Sequence, residues 1–175
     1  MGGGYELSDL SVTEAVIKRV KHPAFGYFRP TEEYYDSIIR WQKEHFGVTG
    51  LKKEYIGYEN GVHGCVTSAV QVLSQPGDRI LLHSPFYLGF SDDIEGLGRR
   101  SVYSPLKKDE NGILRMDYED MDRKLKENNI HLAIFCSPHN PCGRVWERWE
   151  LERAMEVYEA NDCYVISARR SILQG

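Results

Sequence analysis

Residues 132–146 read LAIFCSPHNPCGRVW. The apolar run Leu132 to Cys136 leads straight into an asparagine set between prolines, and a charged segment follows from Glu147. A short apolar run bounded by a proline predicts a buried strand. Pro138 and Pro141 hold the next residues out of helix and sheet, which fixes where the Asn140 amide points. An amide so oriented can hydrogen-bond a ligand oxygen. It can equally close its own turn, so the meaning of the loop depends on its neighbours.

Outward from this stretch, strand-like and helix-like segments alternate. Glu147 to Ala160 predicts a helix and CYVIS (163–167) a further strand. Upstream, RILLH (79–83) follows the breaker Pro76-Gly77-Asp78, Ser101 to Tyr103 predicts another strand, Asn111-Gly112 a turn, and Asp117 to Asn128 a charged helix. Val62, Cys65, Val66, Ala69, Val70 and Leu73 form a helical stripe, and Pro85 to Gly98 reads as a short helix. Near the start, Ser11 and Glu14 have capping-box spacing ahead of a helix over 11–21. Thr31, followed by Glu32 and Glu33, opens a second helix that stops at Gly47. Tyr55 to Tyr58 is an extended candidate. Apolar strands alternating with amphipathic helices predict an α/β fold, with a mainly parallel sheet and helices on both faces.

With 175 residues, 41% apolar and 27% charged, the composition is that of a soluble globular protein. A net charge of −4 without a basic tract argues against nucleic acid as a partner. No apolar stretch reaches the roughly 18 residues of a membrane span, and no signal-peptide layout opens the chain, so a cytoplasmic protein is expected. The four cysteines, Cys65, Cys136, Cys142 and Cys163, have neither CxxC spacing nor the density of a secreted scaffold, and most are expected to be reduced core residues.

Three loops at strand ends carry polar or aromatic groups. Glu59 to Gly64 enters a helix whose first N–H groups, with the helix dipole, could hold an anion; a tight turn is the alternative reading. The stretch has neither GxGxxG nor the P-loop pattern. Tyr87, in Ser84-Pro85-Phe86-Tyr87, can stack on a flat ring or serve as a core aromatic. The third loop holds Asn140. His139 beside it finds no second ligand for a metal and is expected to be a solvated loop histidine. Cys136 and Cys142 have no base partner, and no GxSxG occurs.

Taken together and in this order, FGYFRP (25–30), NGVHG (60–64), QPGDRILLHSPFY (75–87) and SPHNPCGRVW (137–146) resemble the fold-type I pyridoxal-phosphate enzymes, and most closely the MalY/PatB-type C–S lyases of the class I/II aminotransferase superfamily. The resemblance implies part of the large domain of such an enzyme: residues 1–30 as an N-terminal segment with a dimer-contact loop, and 31–175 as a partial cofactor-binding domain. It implies pyridoxal 5'-phosphate as cofactor. Gly61, Val62 and His63 would bind its phosphate through their backbone, Tyr87 would lie against its ring, and Asn140 would hydrogen-bond its phenolic oxygen. Tyr27 would reach the phosphate in a neighbouring subunit, so a homodimer is implied. The implied reaction is β-elimination from a small sulfur-containing amino acid such as cystathionine or cysteine, giving a thiol or homocysteine, pyruvate and ammonia. The alternatives are an aminotransferase on the same fold and a non-catalytic binding or regulatory half-fold.

Two departures from the pattern bear on activity. Ala168 stands where these enzymes carry the aspartate that pairs with the pyridine nitrogen, and Arg169 and Arg170 beside it would disfavour a protonated ring. No lysine follows Lys126, so the lysine that holds the cofactor covalently is missing. The opening MGGGYEL also differs from the family. A partial chain, inactive alone, poorly soluble and with no assignable catalytic residue, is therefore expected.

Overall fold

The computed structural model describes residues 10–169, in two compact units that meet between Gly57 and Tyr58. In the first, α1 (Leu10–Val20) and α2 (Glu32–Phe46) precede a single 3-10 turn at Lys53–Tyr55. Thr31 takes the predicted N-cap position of α2 in extended backbone but makes no side-chain cap to the helix; it hydrogen-bonds the Glu33 carboxylate, which lowers that group's pKa. Gly47 ends the helix at φ +65°. Its N–H donates to Lys43 O and that of Val48 to Gln42 O, a pairing that a left-handed residue makes possible. The expected strand at Tyr55 to Tyr58 does not form. The Ile56 N–H donates to Lys53 O at 3.0 Å, curling the chain into a turn, and no strand of the described residues pairs with it.

The second unit runs α3 (Gly61–Leu73), β1 (Arg79–Ser84), α4 (Leu88–Gly96), β2 (Arg100–Pro105), the short β3 (Lys107–Lys108) and β4 (Leu114–Arg115), α5 (Tyr118–Glu127), β5 (Leu132–Ser137), α6 (Arg148–Glu159) and β6 (Tyr164–Arg169). Four strands form one parallel sheet in the order β2-β1-β5-β6, while β3 and β4 make a small antiparallel ribbon.

Alternation along the strands divides the core. Leu81, Ala133 and Phe135 point to one face, where Met121 and Leu125 of α5 and Ala154 and Tyr158 of α6 cover them. Ile80, Leu82, Leu132 and Ile134 point to the other, under Val66 and Val70 of α3 and Phe90 and Ile94 of α4. Each large apolar side chain withdrawn from water contributes about 1.5–3 kcal/mol. The α3 stripe is narrower than its sequence suggests: Val66 and Val70, one turn apart, are buried, but Val62, Cys65 and Leu73 are exposed. Only the i, i+4 ridge meets the sheet. Of the cysteines, Cys163 is buried, Cys136 and Cys142 are half-buried and Cys65 is exposed, so one of the four is a full core residue.

The chain reverses its direction of travel across the sheet between β1 and β5. From β1 it moves outward to β2, then crosses back to place β5 on the opposite side of β1, and β6 beyond it. Ligands of open α/β sheets sit at the carboxyl ends of the two strands that flank such a reversal.

Candidate active site

The loops that leave β1 and β5 meet at that reversal. His139, two residues past β5, donates from Nε2 to Pro85 O, just past β1, at 2.7 Å. The peptides Ser84–Pro85, Ser137–Pro138 and Asn140–Pro141 are all cis. The 137–144 loop closes on itself: the His139 N–H donates to Arg144 O, and the Gly143 N–H donates to His139 O. His139 is therefore buried, edge-on to Trp146 at 5.4 Å, and not the solvated histidine its loop position suggests. Burial lowers its pKa. Asn140, at the outer tip of the same turn, is exposed.

Ion pairs set beneath the loop hold it. Glu150 on α6 is fully buried; it accepts from Arg144 Nη2 at 2.5 Å and from the Glu147 N–H at 2.8 Å, and lies 3.0 Å from Arg115 Nη1. Arg144 also donates to Leu114 O of β4, and Trp146 Nε1 donates to Cys136 O. The terminal Arg of HNPCGR is thus an anchor for the turn that presents Asn140.

On the near side of β1, Tyr87 caps α4 and is 42% exposed, so it is not a core aromatic; Phe86 takes that part by stacking on Tyr103 at 5.0 Å. The Tyr87 hydroxyl is 3.3 Å from His63 Nε2 in the first turn of α3, which brings the NGVHG loop to the same strand ends. Gly61 has φ +82°, a conformation suited to glycine, and Asn60 makes no side-chain cap to the helix. The first N–H groups of α3 are left without a capping side chain, at the positive end of the helix dipole.

The structure therefore brings Gly61, Val62, His63 and Tyr87 together, and links their loop to the one that carries Asn140. Tyr27 belongs to the first unit and is fully exposed. Ala168 on β6 lies opposite Cys136 of β5 in the sheet register, and both turn toward the α3–α4 face. Arg170, the residues after it and MGGGYEL lie outside the described residues. Burial raises the pKa of Cys136 and Cys142, which disfavours the thiolate a nucleophile needs. Among the described residues no cluster of three His, Cys, Asp or Glu side chains could hold a metal ion, and no helix is long and apolar enough to cross a membrane. Asp93, which hydrogen-bonds His63, carried no signal in the sequence: it reads as one of three acids on a short helix, thirty residues from its partner.

Residues 7–167 match the sequence signature of aminotransferase class I and II. The chain belongs to that family. It is similar to the cystathionine beta-lyase PatB of Bacillus subtilis, 32% identical over 157 residues that make up 90% of this chain and 40% of the relative. To the protein MalY of Escherichia coli it is 29% identical over 158 residues, 89% of this chain and 40% of the relative. The PLP-bound C-S lyase of Staphylococcus hominis superposes with a TM-score of 0.85 at 30% identity, over 91% of this chain and 41% of that one. The chain thus spans about 40% of the length of the relatives it matches. The superposed part of the fold includes the parallel sheet and the helices on its faces.

Proposed function

We propose that the second unit forms part of a pyridoxal 5'-phosphate site of the C–S lyase type. The observation that carries this reading is the convergence, at the reversal between β1 and β5, of an uncapped helix N-terminus, a half-exposed tyrosine and an outward-facing asparagine. The first two suit a phosphate and the face of a flat ring; Asn140 suits a ring oxygen. Val62 and His63 would take the phosphate through their N–H groups, and Gly61 would join them once its N–H leaves Glu59 O, to which it donates at 2.9 Å. When bound, the cofactor would supply an electron sink for charge left at a substrate Cα, which is what a β-elimination requires. The protein's own residues bind and orient: the Glu150–Arg144 pair fixes the Asn140 turn, and the hydrogen bond from His139 to Pro85 O ties it to the Tyr87 loop.

One residue departs from the resemblance: Ala168 offers a methyl group at the position that the resemblance gives to an acid. The reading for these residues is of the part of the site that holds the cofactor's phosphate and ring. The whole enzyme's reaction is read as thiol release from a small sulfur-containing amino acid. Full exposure of Tyr27 supports its use at the site of a second copy in a homodimer.

Tyr87→Ala and Asn140→Ala are each expected to weaken binding of pyridoxal 5'-phosphate about fivefold to tenfold, the loss of one ring contact or one hydrogen bond. Absorption titration of the full chain measures this. Unchanged affinity and spectra in both variants would remove the site assignment.

A further inference from the structure

His63 does more in this fold than lend its backbone to a helix terminus. Its Nδ1 lies 2.7 Å from Asp93 Oδ2 on α4, and its Nε2 lies 3.3 Å from the Tyr87 hydroxyl. Asp93 is largely buried, with 13% of its side chain exposed, while 49% of the His63 side chain is open to solvent. A carboxylate only accepts, so Nδ1 carries the proton, and the neutral ring then has its free lone pair on Nε2, facing the Tyr87 O–H. The two rings sit 5.6 Å apart at 51°, and Phe90 meets the Tyr87 ring edge-on at 5.6 Å.

The backbone beneath them is shaped to this arrangement. A Cβ on Gly89 would lie 2.3 Å from His63 Cε1 and 2.5 Å from Tyr87 Cε1, so both rings rest where any other residue's side chain would begin. An incidental surface ion pair needs no such recess. We propose that Asp93 and His63 are positioning residues for Tyr87, an ordered chain in which Asp93 fixes the imidazole, its tautomer included, and the imidazole fixes the phenol ring at the mouth of the site. The ligand that profits is a flat anionic ring compound. That consequence rests on the pyridoxal-phosphate reading above; the hydrogen-bonded chain itself does not.

Two measurements on the 175-residue chain test it. In the ligand-free protein, side-chain 15N NMR at a pH that leaves imidazoles uncharged is expected to show the His63 proton on Nδ1, and Asp93→Asn to shift it toward the Nε2–H form that free imidazole prefers. In a titration with pyridoxal 5'-phosphate, His63→Ala and Tyr87→Phe are each expected to weaken binding about fivefold, the loss of one hydrogen bond. The double variant should be no weaker than either single, because His63 acts through Tyr87. Gly89→Ala, which leaves both groups chemically intact and suits a helix, should weaken binding to the same degree. His63 protonated on Nε2, or losses that multiply in the double variant, would overturn the proposal. Were the wild-type chain to bind no pyridoxal 5'-phosphate, the functional reading would fall, and the tautomer would still decide the chain of hydrogen bonds.

Discussion

Glu150→Ala is expected to lower the stability of the protein by about 3 kcal/mol, the low end of the cost of removing one partner from a buried ion pair. The carboxylate is fully buried between two guanidinium groups, Arg144 at 2.5 Å and Arg115 at 3.0 Å, and it caps its own helix by accepting the Glu147 N–H. Without it, Arg144 keeps carbonyl partners, the Trp146 ring face at 5.3 Å and the outer carboxylate of Glu147 at 3.6 Å. Arg115 fares better, since Asp109 and Glu147 remain within 3.1 Å and 2.7 Å, which is why the low end of the range applies. Glu150→Gln preserves shape and an acceptor for the cap, and is expected to cost about 1–2 kcal/mol, the worth of hydrogen bonds that lose their charge. Urea denaturation of the two variants beside the wild type measures both. A Glu150→Ala variant within 0.5 kcal/mol of wild type would show that the carboxylate does not anchor the turn.

The same residue shows where the sequence was legible and where it was not. LAIFC and RILLH could be read as strands because runs of buried apolar residues need no knowledge of what lies opposite. Asp117 and Gly47 marked helix ends for a similarly local reason: one accepts the Asp120 N–H and the other takes φ +65°. The order β2-β1-β5-β6 was not legible, since it depends on which strands pair. The convergence of the Tyr87 and Asn140 loops follows from that order. Glu150 reads in the sequence as one more acid in a charged helix; its burial follows from Arg115, thirty-five positions upstream, reaching the same spot. His139 was misjudged for the same reason, because the Pro85 carbonyl that draws it inward belongs to another loop. The resemblance supplied roles for Tyr87 and Asn140 that periodicity alone left open, but was silent on Asp93. Ala168 is the reverse case: visible in the sequence as a departure, and found half-buried on the α3–α4 face of the sheet.

Acidification from about pH 7 to about pH 5 is expected to cost the fold about 2 kcal/mol through His83 alone. His83 lies on β1 beneath the α5–α6 face, fully buried, with Nε2 at 2.7 Å from the Tyr158 hydroxyl of α6 and Nδ1 without a hydrogen bond. Burial first, and then the proximity of His139, push its pKa from 6.5 down to about 3, with Asp120 of α5 opposing them weakly. The depressed pKa means that the folded protein holds His83 neutral where an unfolded chain would protonate it. Between those two values the unfolded state binds the extra proton, so stability rises with pH. The contribution is complete above about pH 6.5 and is lost progressively as pH falls toward 3. His139, lowered chiefly by its own burial, acts in the same direction. Burial alone would raise the pKa of Asp120, but Lys124, Ser104 and Arg123 hold it below its usual range, so the stability it gives is complete above the unfolded value of 3.8 and is lost only as pH falls below that. The two effects therefore separate along the pH axis. Urea midpoints at pH 7.5, 6, 5 and 4.5 should fall most steeply below 6.5, well before the acids titrate. In His83→Gln, which keeps a polar neutral side chain and removes the titration, the slope should flatten. A slope unchanged by that substitution would place the loss elsewhere, with His139 the first residue to replace in turn.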